Sequence, residues 1–190
     1  LCHGVAHDAY FMARMWIAAS VLQTQATNPA GATAAVGAYL GAKATAAAGL
    51  PLSPTQAALL NPAINPLLPY NLDAWDGYPL QREAILRTFQ AQGKRLVTLS
   101  GDSHNGWFSH LTTLGGARVG VEFAGTSVTS PGFESVGLGG LGSSLDGSVV
   151  TGTQGSGLGL INDLAYADSA RRGYLLLSVK ADAITGDYVY

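Results

Sequence analysis

The sequence predicts an α/β protein, and three stretches carry that reading. The first is "WDGYPLQREAILRTFQAQGKRLVTL", a helical pattern that ends at a glycine and runs straight into an apolar strand. The second is "RVGVEFAGTSV", where Val119, Val121 and Phe123 alternate with Arg118, Gly120 and Glu122. The third is the pair "GYLLLSV" and "ITGDYVY", two short apolar runs with a turn between them.

Taken in order, residues 11–22, "FMARMWIAASVL", read as a buried amphipathic helix. Arg14 interrupts the apolar run, which is far too short to cross a bilayer and does not fit a signal segment. Residues 26–49 are rich in Ala, Gly and Thr, with Lys43 the only charge. Alanine favours helix while Gly31, Gly37, Gly41 and Gly49 weaken it, so a surface helical insert is expected. Pro51, Pro54, Pro62, Pro66 and Pro69 then predict an extended connector, because each proline disfavours helix in the residue before it. Residues 26–70 are thus an insert and connector, and 71–190 the sheet-forming part.

In residues 79–92, Pro79 suits a first helical turn and Ile85 and Phe89 lie four apart on one face. Gly93 is placed for a left-handed C-cap. The strand over 95–99 is nearly all apolar, typical of a sheet covered on both faces. Alternation over 118–123 puts Glu122 on the solvent face. Residues 130–160 are Gly- and Ser-rich and predict a long excursion with little regular structure. The closing strands turn at 182–186, and no internal repeat is present.

The length of 190 residues fits one domain or half of a larger one. With 47% hydrophobic and 12% charged residues, the chain fills a core but has a thin polar coat. That balance predicts an apolar face covered by something outside the sequence. A net charge of -2 and the lack of any Lys/Arg block argue against a nucleic-acid surface, and no membrane span is expected. The single cysteine, Cys2, excludes an internal disulfide framework. The first residue, Leu1, is not Met, which points to processing or to a missing upstream part.

The chemistry concentrates in "RLVTLSGDSHNGWF". Ligands in open α/β sheets sit beyond the carboxyl ends of strands, and Asp102 and His104 lie just past such an end. A carboxylate and an imidazole two residues apart can both face a cation. The pattern D-x-H alone does not establish a metal site, since Asp, Ser, Asn and Gly are ordinary turn residues. The same block resembles the nucleophile block of GDSL-type serine esterases, with Ser103 as nucleophile. An activated serine needs a histidine base, which in those enzymes follows near the C-terminus. The histidines here are His3, His7, His104 and His110, so that reading lacks its base.

Four blocks in order, "NLDAWDGYPLQREAILRTF", "LVTLSGDSHNGWFSHL", "GVEFAGTSVTSPGFE" and "LAYADSARRGYLLLSV", resemble the C-terminal half of PhoD-type alkaline phosphatases. "FMARM" is similar to the helix upstream of that half. The resemblance implies a calcineurin-like metallophosphoesterase fold, two mixed sheets packed together with helices outside. It implies that "GDSH" is the last metal-binding block, with Asp102 and His104 as ligands and as the catalytic residues of this chain. It further implies calcium with ferric iron as cofactors, phosphomonoesters and phosphodiesters as substrates, and a secreted or periplasmic location. The other ligand blocks of the superfamily, of the D-x-H, G-D-x-x-D and G-N-H types, do not precede Asp102. The chain is therefore expected to supply part of a site that an N-terminal half completes, and to be inactive alone.

Other residues have two readings each. Asn105 could ligate a metal or bind a phosphate, or it could be a turn residue before Gly106. Trp75, Asp76 and Tyr78 could line a substrate pocket or pack at a helix entry. Thr126, Ser127, Thr129 and Ser130 could donate to phosphate oxygens or form a polar strand-end turn. His110 is expected at solvent or beside a polar neighbour, and Arg171 and Arg172 as surface charges. The alternative function from a different class is a non-catalytic, Gly-rich module that binds a partner protein through its apolar face.

Overall fold

Two carboxylates shape the start of the fold. The computed structural model describes residues 13–190, and Cys2, His3 and His7 lie outside them. The N–H of Ala13 donates to Glu122 and the N–H of Met15 to Asp76, both at 2.8 Å. Two buried acceptors thus hold 13–15 in place. Strand β1 (Trp16–Ala18) then pairs antiparallel with β2 (Leu67–Pro69), and helix α1 (Ala19–Thr27) starts only at Ala19. This corrects the expectation of a helix over 11–22: of the described residues in that stretch, 16–18 form a strand and only 19–22 are helical.

The Ala-rich helix forms as α2 (Ala32–Ala47), but it buries Val36, Tyr39, Leu40 and Ala42. The extended connector is also corrected, because α3 (Pro54–Leu60) lies within it. The restriction imposed by Pro54 falls on Ser53, whose φ of -64° and ψ of 160° are those of an N-cap. The Ser53 hydroxyl accepts the Gln56 N–H, and the Gln56 side chain accepts the Ser53 N–H. Here proline starts a helix.

Helix α4 (Pro79–Ala91) follows as predicted, and Gly93 caps its end at φ +62°. Its inner face carries Arg82 and Leu86, with Phe89 packed nearby. Beyond it lies a four-stranded sheet of β3 (Leu96–Ser100), β4 (Gly106–Thr112), β5 (Arg118–Ala124) and β6 (Leu164–Asp168). The spatial order is β3-β5-β4-β6, with β3 and β5 parallel and the other pairs antiparallel.

One sheet face presents Trp107, Ala124 and Ala167 to Ile17, Val21, Val36, Tyr39, Leu40 and Leu145. This is the main core. Leu111 and Leu86 anchor a second, smaller cluster beside it. The 130–160 excursion is irregular as expected, with only α5 (Gly142–Asp146), α6 (Ser148–Thr151) and two 3-10 turns. It is nonetheless packed: Leu145, Leu160 and Ile161 belong to the main core.

The closing strands β7 (Tyr174–Val179) and β8 (Ile184–Val189) form a separate antiparallel hairpin. Its turn is closed by Lys180 N–H donating to the Ala183 carbonyl, so Gly186 lies in β8 and not in the turn. A Cβ on Gly186 would sit 2.5 Å from the Phe123 ring, so the hairpin lies directly over the opposite sheet face. Tyr188 stacks on Tyr166 with ring centres 5.0 Å apart and donates to the Trp107 carbonyl. The result is an α/β arrangement in which the β7–β8 hairpin covers one face of the four-stranded sheet and helices lie behind the other. Glu122 is corrected by the same packing. Both sheet faces are covered, and Glu122 pairs in register with Ser109 and Thr98, only 1% exposed.

Candidate functional site

The loop between β3 and β4 sits at the carboxyl end of β3, where sequence placed it. Asp102 has φ +67° and His104 φ +61°, the described non-glycine residues with left-handed backbone. That conformation is unfavourable by about 1–2 kcal/mol for an ordinary L-residue. Residues held this way cluster at functional sites. The two candidate ligands are the two strained positions.

Ser103, between them, is buried and accepts the Trp107 indole N–H at 2.8 Å. Its hydroxyl anchors the loop to the core. Asp102 is exposed, and no hydrogen-bond donor reaches its carboxylate among the described residues. His104 is half-buried, with Nδ1 at 2.8 Å from the Pro131 carbonyl oxygen. A carbonyl only accepts, so the neutral ring carries its proton on Nδ1 and has its lone pair on Nε2. Metal-ligating histidines are commonly oriented by such a bond from the other ring nitrogen. A free carboxylate and an oriented imidazole therefore fit as a partial donor set. Among the described residues, no group of three or more His, Cys, Asp or Glu side chains gathers to hold a metal.

Asn105 is fully buried. Its Oδ1 accepts the Phe133 N–H at 3.0 Å, and its Nδ2 has no partner among the described residues. It ties the GDSH loop to the following Gly-rich segment. The Thr126 hydroxyl is within reach of the His104 and Arg171 carbonyls, and the Ser127 hydroxyl accepts the Ser130 N–H. In this structure both hydroxyls serve the strand-end turn. Arg171 and Arg172 are exposed as expected, but each is engaged. Arg171 binds Asp168 and lies over the Tyr190 ring, while Arg172 reaches Glu134 and the Thr129 carbonyl.

Away from the loop, Asp76 is buried and burial raises its carboxyl above the usual range, opposed by the Met15 N–H and by Arg82. It belongs to helix-entry packing, as does the edge-on contact of Trp75 with Tyr78 at 6.4 Å. His110 is half-buried against Phe108, and burial, with Arg118 nearby, lowers its pKa. Glu134 was missed by the sequence reading. Its signal was present only as "SPGFE", a turn followed by an acid.

The class these features define is an α/β protein with a candidate metal-ligand loop at a strand end. A family model described as PhoD-like phosphatase matches residues 12–188, and the chain belongs to that family. It is 40% identical over 68 residues to alkaline phosphatase D of Bacillus subtilis, a match covering 33% of this chain and 12% of that protein. The solved structure of PhoD is 28% identical, with a TM-score of 0.44, over 63% of this chain and 21% of that one. The match thus spans well under half the length of either relative. Among the described residues, no helix is long and apolar enough to cross a membrane.

Proposed function

We propose that this chain supplies part of the active site of a metal-dependent phosphate-ester hydrolase, with Asp102 and His104 as metal ligands. The observation that carries the reading is the His104 ring, proton held on Nδ1 by the Pro131 carbonyl and lone pair left on Nε2. Asp102 adds an unpaired carboxylate two residues away, on a backbone as strained as that of His104. The metals proposed are calcium and ferric iron, and the substrates phosphomonoesters and phosphodiesters. When bound, such cations neutralise phosphoryl oxygens and acidify a water. The residues of this chain hold and orient, with Ser103 and Asn105 fixing the loop from below.

Two protein ligands leave a cation held mainly by water, so the reading requires further ligands beyond the described residues. The remaining length of the family's domain is the proposed source. Among the described residues, strand β3 pairs with β5 alone, and Leu99 on it is exposed. By the same relationship, export from the cytoplasm is the proposed location.

The test is turnover of a chromogenic phosphate monoester and diester. The 190-residue chain with added calcium and ferric iron is expected to show little or none. A protein carrying the complete family domain should turn both over, and Asp102→Asn or His104→Ala should abolish that. Robust turnover by the 190-residue chain, or an active His104→Ala enzyme, would overturn the assignment.

A further inference from the structure

The geometry points to Glu134 and Arg172 as positioning residues for His104: they lock the 131–132 peptide so that the Pro131 carbonyl selects the Nδ1–H form of the ring. The catalytic consequence rests on His104 being a ligand, whereas the choice of tautomer does not.

The Pro131 carbonyl and the Gly132 N–H belong to one planar peptide unit, and in a trans peptide they point in opposite directions. Glu134 grips the Gly132 N–H with both carboxylate oxygens at 3.0 Å. On the far side of the same plane, the Pro131 oxygen meets His104 Nδ1 at 2.8 Å. Rotation of this plane would break both contacts, so holding the N–H aims the carbonyl. Glu134 is itself held by Arg172, whose Nε lies 3.0 Å from Oε1 and whose Nη1 donates to the Thr129 carbonyl at 2.7 Å. One guanidinium thus clamps both ends of the segment containing Pro131. The next N–H, of Phe133, goes to buried Asn105.

The surroundings suit a fixed device. The Gly132 N–H bond above all, with Arg172 beside it, holds the Glu134 carboxyl below the usual range, so it stays ionised near neutral pH. A Cβ on Gly132 would sit 2.5 Å from the Asn105 amide, so the peptide is seated tightly against the loop. A histidine without such a partner prefers the opposite tautomer, with the proton on Nε2 and no lone pair there for a metal.

The experiment reads the His104 tautomer from its ring nitrogen-15 shifts in the metal-free 190-residue chain, at a pH where the ring is neutral. The wild type should show the Nδ1–H form as the dominant species. Glu134→Ala and Arg172→Ala should shift the ring toward Nε2–H, and Glu134→Gln, which keeps an acceptor for the Gly132 N–H, should restore it in part. In the complete enzyme, Glu134→Ala should lower metal affinity about 10–100-fold, with Glu134→Gln intermediate. A wild-type ring in the Nε2–H form, or a tautomer unmoved by both alanine variants, overturns the proposal. If an alanine variant fails to fold, the wild-type tautomer and Glu134→Gln still decide. Failure of His104→Ala to abolish activity would instead count against the ligand reading and leave the tautomer result standing.

Discussion

The backbone N–H of Ala13 donates to Oε2 of Glu122 at 2.8 Å, joining positions 109 residues apart. Glu122 sits mid-strand on the inner face of the sheet, where its charge is desolvated, with Arg82 close enough to interact. Glu122→Ala would leave the Ala13 donor unsatisfied in a dry setting. The expected loss is about 1–3 kcal/mol. Glu122→Gln should lose less, since an amide oxygen can still accept. Urea unfolding curves check this, and equal midpoints for wild type and Glu122→Ala would show that the carboxylate does not secure the N-terminal segment.

Glu122 also shows where sequence reading stops. A period of two separates two strand faces, but it identifies a solvent face only when one face is wet. Here the β7–β8 hairpin covers the Phe123 side and the helices cover the other, so alternation named the strand correctly and its exposure wrongly. Helix α4 and its Gly93 cap were legible because their signals are local. Strand β1 was not, because its extended form depends on Glu122, Asp76 and β2, all distant in sequence. The prolines misled through Pro54: its effect on Ser53 is what a helix cap needs. At the site, the place of the loop past the end of β3 was legible from the apolar run before it, whereas the ligand roles of Asp102 and His104 came from the family resemblance. Glu134 and Arg172 were not legible, because their role depends on which peptide plane they hold.

Lys43 offers a test by pH. Its ammonium donates to the Gly157 and Gly159 carbonyls and to Asn162, tying α2 to the Gly-rich segment. Burial nevertheless pulls its pKa down to about 8 from the ordinary 10.5. A depressed folded value means the unfolded chain binds more protons between those two pH values. Stability from this group therefore rises as pH climbs from 8 toward 10.5, and is lost as pH falls through 8. Relative to Lys43→Met, the wild type should gain stability between pH 7.5 and 9.5. Because Lys43 is only partly buried, the gain should be on the order of 1 kcal/mol. A difference between the two proteins that is flat with pH would show that the three acceptors offset the burial.

At Gly120, β5 lies directly beside Leu96 of β3. A Cβ there would run into the Leu96 carbonyl, which is backbone and cannot swing away. Gly120→Ala should push β3 off the sheet, with a loss of at least about 1–3 kcal/mol. Because β3 carries the GDSH loop, the loop should loosen with it. Gly115→Ala is the control, since its nearest neighbour would be the Thr113 hydroxyl at 3.8 Å. Amide exchange at residues 96–100 separates the two, and comparable protection in both variants would refute the argument.

The strain at Asp102 predicts a trade between folding and function. Its φ of +67° suits glycine, and no donor among the described residues repays the aspartate for adopting it. Asp102→Gly removes a left-handed penalty of about 1–2 kcal/mol. It also adds backbone freedom to the unfolded chain, which takes back roughly 0.5–1 kcal/mol. The net expectation is a variant as stable as the wild type or slightly more so, read from thermal unfolding of the 190-residue chain. In the complete enzyme, the same substitution should weaken metal binding and remove turnover, because the carboxylate is lost. Asp102→Asn serves as the comparison: it keeps the backbone preference and shape while removing the charge, so it should lose function without gaining stability. A clear destabilisation of Asp102→Gly, by more than about 1 kcal/mol, would mean that the Asp102 side chain supports the fold. The strained backbone would then need an explanation other than metal binding.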